Sequence, residues 1–168
     1  MTRARSARAY NSLMVSETFE ALAETLRQLE AALARIPQSR RPEMAGRARA
    51  ELLLSHLAKS GVAVLIANEH GRYVHANAAA ARLTGYTTDE LTGLSVWDLT
   101  PSANQTDGRR LWDLFVEKGR QEGEYALRHK DGHIVSARFV ALAHVLPGVH
   151  VSLLVARAAS QSVEGAVA

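Results

Sequence analysis

The side chains able to do chemistry are few and scattered. The chain has 168 residues, seven histidines and no cysteine. Without thiols, disulfides, thiolate metal sites and cysteine nucleophiles are excluded together. His70 and His133 fall at predicted turns, and His75, His129, His144 and His150 fall in predicted strands. Two strand histidines could meet across a sheet, but none of the usual ligand spacings is present, so no metal is expected. Ser55-His56 has the form of a helical phosphoacceptor histidine, yet no Glu follows it as a base, and it reads as an ordinary helical residue. Asp89/Glu90 and Asp113/Glu117 are explained by a helix start and an exposed helix face. There is no G-x-x-x-x-G-K or G-x-G-x-x-G segment to cradle a phosphate. No catalytic constellation emerges, and the chain is not expected to be an enzyme.

Composition narrows the setting. Hydrophobic residues make up 47% and charged residues 22%, as in a globular protein. Aromatics are only 5%, so the core must be built from Val, Leu, Ile and Ala. No apolar run reaches the ~20 residues that cross a bilayer, and no apolar stretch follows the N-terminal arginines as in a secretory signal. A cytoplasmic location without membrane partners is expected. Residues 1–60 carry ten Lys/Arg against six Asp/Glu, whereas the remainder carries ten against eleven. Residues 1–13, basic and without apolar periodicity, read as a disordered arm, whose alternative use is to touch nucleic acid.

The elements that must position any site begin with a heptad. Val15, Phe19, Leu22, Leu26, Leu29, Leu33 and Ile36 step by 4 and 3, which draws one narrow apolar stripe on a helix. Ser16 can cap its start and Pro37 stops it. The spacing predicts an amphipathic, coiled-coil-like helix over 14–36 that pairs in a homodimer, the alternative being a helix folded back on its own domain. Residues 37–42 read as a linker and 43–60 as a second helix ended by Gly61.

The rest alternates short strands and helices. Val62–Ala67 has strand length, Asn68–Gly71 is a turn, and Arg72–Ala76 returns as the second strand of a hairpin. Asn77 caps a helix over 78–84 that Gly85 ends, and Thr87 or Thr88 caps another at Asp89-Glu90-Leu91. Residues 95–99 predict a further helical turn, and 107–117 a longer helix. Strands follow at 124–129, 133–142 and 149–156, with Asp131-Gly132 as a hairpin turn. Residues 158–168 read as a loose tail. The fold class is α+β: five antiparallel strands with helices on one face, preceded by a helical extension.

That order, with its punctuation, resembles a PAS domain over residues 61–157. The stretches carrying the resemblance are N-E-H-G-R-Y-V-H-A-N (68–77), A-A-A-R-L-T-G-Y-T-T-D-E-L-T-G (79–93), S-V-W-D-L-T-P (95–101) and E-Y-A-L-R-H-K-D-G (124–132). The resemblance implies a sensor and signal-transduction module. Such a module holds a small ligand between sheet and helices, or none, and passes a change to a flanking helix and a protein effector. The ligand-facing residues so implied are Trp97, Trp112, Phe115, Leu127, Ala137 and Phe139, with Ala76, Ala79, Ala80 and Ala137 small enough to leave room. Cysteine-linked chromophores are excluded, and no His between His75 and His129 can ligate haem from the connecting helix. No cofactor is the first expectation. A non-covalent flavin redox sensor is an alternative, resting on Trp112 and Lys130, although Arg120-Gln-Glu-Gly123 and Leu127 depart from that pattern. The chain is expected to signal through its N-terminal helices. The alternative is a transcriptional regulator that uses the basic arm on DNA.

Overall fold

A computed structural model describes residues 61–102 and 105–157, together with residues 20, 24, 27, 28 and 31. The basic arm, the linker, the second helix and the tail lie outside the described residues. So does most of 14–36; its five described residues are helical and exposed.

Five strands form one antiparallel sheet in the order β2-β1-β5-β4-β3. They are β1 (Ala63–Asn68), β2 (Tyr73–Ala76), β3 (Arg120–Arg128), β4 (Ile134–Leu146) and β5 (Val149–Ala156). β1 is flanked by β2 and β5, and every residue from Ala63 to Ala67 is buried. This explains its unbroken apolar run: a central strand covered on both faces has no solvent side to mark with polar residues. Ala63, Leu65 and Ala67 join one core cluster, and Val62, Val64 and Ile66 the other, as the two-residue period of a strand requires.

All described helices pack on the first face. They are α1 (Ala78–Thr84), α2 (Thr88–Leu91) and α3 (Gln105–Lys118). Asn77 caps α1 by accepting from Ala80 N–H at 2.9 Å, and Gly85 ends it at φ +76°. Thr87 and Glu90 make a reciprocal capping box on α2. The predicted helical turn at 95–99 is instead a hydrogen-bonded turn. Asp98 accepts from both the backbone N–H and the hydroxyl of Ser95 at 2.7 Å, and Ser95 bridges to Arg72.

Two strands outrun their predicted bounds. β3 starts at Arg120 because Arg120 to Glu124 pair with Leu142 to Arg138 despite lacking apolar alternation. It is an edge strand, and its polar residues stay wet there. β4 continues to Leu146 through an irregularity that includes His144, at φ +52°. Such bulges carry a strand past the point where alternation fails.

Candidate functional site

Between α3 and the sheet lies a cavity of about 170 Å³. Its roof is Leu111, Trp112 and Phe115 from α3, with Val96 and Tyr73 at one side. Its floor is Leu65 of β1, Tyr125 and Leu127 of β3, Phe139 and Ala141 of β4, and Ser152 and Leu154 of β5. Gln121 and Glu124 place polar groups in an otherwise apolar lining. The 3.6-residue period of α3 accounts for the roof, since residues 111, 112 and 115 share one side of a helix. The floor follows from strand alternation, with Ser152 and Leu154 on one face of β5.

The six residues expected to face a ligand do not all meet there. Trp112, Phe115, Leu127 and Phe139 line the cavity. Trp97 does not: it sits on the β1–β2 turn, where an added Cβ at Gly71 would come within 3.3 Å of its ring. It meets Trp112 edge-on at 5.9 Å and carries the Arg109 guanidinium over its face at 5.3 Å. Ala137 is fully buried in the core and does not line the cavity. The other alanines expected to leave room, Ala76, Ala79 and Ala80, are likewise packed into that core. The space opens instead beside Ala141, where α3 crosses the sheet.

The flavin signature is not assembled. Trp112 is in the lining, but Lys130 donates to Glu90 at 2.7 Å on the surface. Leu127, which is buried in the floor, offers no polar atom to a flavin ring edge. The residues present do not fit that group.

The polar groups of the lining are mostly engaged. The Tyr125 hydroxyl shares a 2.6 Å hydrogen bond with Thr100 Oγ1. Burial raises the Tyr125 and Tyr73 phenols above their ordinary range, so both are neutral at pH 7. Glu124 accepts from Arg157 at 2.9 and 3.0 Å, with Arg138 at 3.8 Å. His150, on the same face of β5 as Ser152, is 2% exposed and lies against Trp112 at 5.3 Å and Phe115 at 5.9 Å. Its Nε2 has no hydrogen-bond partner among the described residues. Burial lowers its pKa, His144 adds to this, and Glu69 opposes it, so the ring is held neutral. Sequence reasoning missed His150, Tyr73, Tyr125 and Ser152 as neighbours of one site. Only the β4–β5 and β1–β5 registers bring them together.

A sheet of this order, with helices on one face and a small apolar cavity beneath the connecting helix, defines an α+β module of five antiparallel strands. A family model described as PAS domain matches residues 61–158, and the chain belongs to the PAS domain family. It is a PAS sensor and signalling domain. Among solved structures, a PAS domain from Desulfitobacterium hafniense is 20% identical, covering 61% of this chain and 98% of that one at a TM-score of 0.53. The PAS domain of a LuxR-family transcriptional regulator from Burkholderia thailandensis, solved in complex with ethanol, is 13% identical (61% and 94% covered, TM-score 0.52). The Rhodobacter sphaeroides LOV protein is 17% identical, with 63% and 65% covered and a TM-score of 0.52. At these identities the likeness is one of fold. No curated protein matches the chain. No described helix is long and apolar enough to cross a membrane.

Proposed function

We propose that this PAS domain is a non-catalytic sensor of a small, uncharged, mainly apolar molecule held under α3. The carrying observation is the cavity of about 170 Å³ with its apolar lining. A dry apolar cavity of about 150 Å³ accommodates benzene, which sets the size of the guest. The lining carries no Lys or Arg to hold an anion, and Gln121 and Ser152 can hydrogen-bond a single polar end. The ethanol bound by the Burkholderia thailandensis domain is a molecule of this kind. Ala141→Leu adds three carbons to the floor of the cavity. With short-chain alcohols or phenol as probes, binding followed by calorimetry should weaken by about tenfold or more in the variant, the loss of about 1.4 kcal/mol. Unchanged binding in Ala141→Leu would remove the cavity as the site.

The output in this reading is a homodimer paired through residues 14–36, which carries the change to an effector. The five described residues of that segment, Glu20, Glu24, Arg27, Gln28 and Ala31, are helical and exposed, and none belongs to the apolar stripe. Glu24 and Arg27 pair along the helix at 2.8 Å. The heptad spacing of Leu22, Leu26 and Leu29 in the sequence is what supports pairing through this segment. Leu26→Lys should convert a dimer into a monomer in sedimentation equilibrium while the PAS fold persists by circular dichroism. A wild-type monomer at all concentrations sinks this part of the reading alone.

A further inference from the structure

The β3–β4 turn, His129-Lys-Asp-Gly-His133, brings three metal-ligating side chains to one spot. His129 Nδ1 lies 3.0 Å from Asp131 Oδ1, and His133 Nδ1 lies 2.5 Å from the same oxygen. One ligand atom from each of the three residues falls within 4.8 Å of the others. The two imidazoles are stacked, with centroids 4.3 Å apart.

The turn that holds them is fixed. His129 N–H donates to His133 O at 2.9 Å, so the two residues face each other across the hairpin end. Lys130 N–H donates to Thr84 O at 2.9 Å, and Lys130 Nζ to Glu90, which ties the turn to both α1 and α2. The His129 ring rests on Gly85, where a side chain of any kind would overlap it. One ligand is therefore anchored against protein, with 20% of its side chain exposed, while Asp131 and His133 are open to solvent at 63% and 56%.

Lone pairs of all three residues converge at this spot. Asp131 N–H donates to His129 Nδ1 at 3.3 Å, which requires a lone pair on that nitrogen. The same nitrogen faces the carboxylate oxygen at 3.0 Å, another lone-pair atom. A metal ion at this spot accepts a lone pair from each of the three atoms, and His129 Nδ1 then gives up its long 3.3 Å bond from Asp131 N–H. Tetrahedral zinc at ~2.0–2.2 Å from each ligand spaces its donors about 3.3 Å apart, a small opening for two exposed side chains.

We propose that His129, Asp131 and His133 bind a divalent transition-metal ion of the borderline class that takes mixed imidazole and carboxylate ligands, with zinc as the type. Water completes the coordination on the exposed side. None of the three residues lines the cavity, so the site stands independently of the ligand-sensing reading.

The test is calorimetric titration of zinc chloride into the full chain, without a histidine tag and stripped with a chelator. One zinc per chain should bind, and the melting temperature should rise with zinc concentration. Loss of a second-sphere partner weakens metal sites by about 10–100-fold, so Asp131→Asn and His133→Ala, each losing a direct ligand, should weaken binding at least tenfold. His144→Ala should bind as wild type does. The absence of saturable one-to-one binding overturns the site, as does equal affinity in Asp131→Asn, His133→Ala and His144→Ala.

Discussion

Asn77→Ala should cost about 3–5 kcal/mol in urea unfolding, more than any other single polar substitution in the domain. Asn77 is 3% exposed and joins two elements at once. Its Oδ1 accepts from Ala80 N–H and Val64 N–H, each at 2.9 Å, and its Nδ2 donates to Val62 O at 2.8 Å. The first of these bonds is the α1 cap, worth about 0.5–2 kcal/mol. The other two satisfy backbone groups of the buried start of β1, and each group left unpaired there costs about 1–3 kcal/mol. Asn77→Ser keeps a capping oxygen but cannot also reach β1, so it should recover only the cap, about 1 kcal/mol. A loss below 1 kcal/mol in Asn77→Ala would mean that water replaces the side chain at β1.

The second large effect is expected at Gly85. Its φ of +76° is a left-handed helix cap, and its Cβ direction is filled by the His129 ring. Gly119 is the matched control: it closes α3 at φ +80° with nothing within 4 Å of its Cβ position. Gly119→Ala should cost only the left-handed penalty, about 1–2 kcal/mol. Gly85→Ala should cost that penalty plus displacement of His129, about 2–4 kcal/mol in all. Equal losses at the two positions would show that the His129 ring yields freely. Because His129 is held in place by Gly85, Gly85→Ala should also weaken zinc at the turn, in the same titration that tests Asp131 and His133.

Both predictions turn on residues whose local role is plain in the sequence and whose tertiary role is not. Asn77 before an alanine run and Gly85 after it bracket α1 by capping preference alone. That Asn77 also stitches α1 to β1, 13 to 15 residues earlier, depends on the β1–β2 hairpin bringing the start of β1 beside it. Likewise, Asp131-Gly132 marks a turn, but the docking of that turn on α1 and α2 rests on contacts spanning about forty residues of chain.

The amphipathic period of α3 and the alternation in β4 place Trp112, Phe115 and Phe139 on apolar faces, because side-chain direction in a regular element follows from spacing; that those faces line a ligand site is what the PAS resemblance implied. Trp97 and Ala137 lie outside the cavity lining for a common reason. Spacing gives a side chain its direction, but not which part of the core it reaches. Trp97 packs against Gly71 and Arg109, and Ala137 is fully buried in the core cluster. The beginning of β3 escaped notice because an edge strand with a polar face carries no apolar period.

By itself the sequence determined the strand order along the chain, the caps of α1 and α2, the hairpin turns and the absence of thiol chemistry. These depend on neighbours a few residues apart or on composition, where backbone preference and hydrogen-bonding capacity decide. Tertiary structure alone decided where the cavity lies, which histidines are buried and which converge. Those are products of strand register and helix docking, and long-range pairing is chosen by the energy of the whole core rather than by any local segment. The histidines show the division most clearly. Dispersed in sequence, they resolve into His150 buried beneath α3 and into His129 and His133 converging on Asp131 at the hairpin turn.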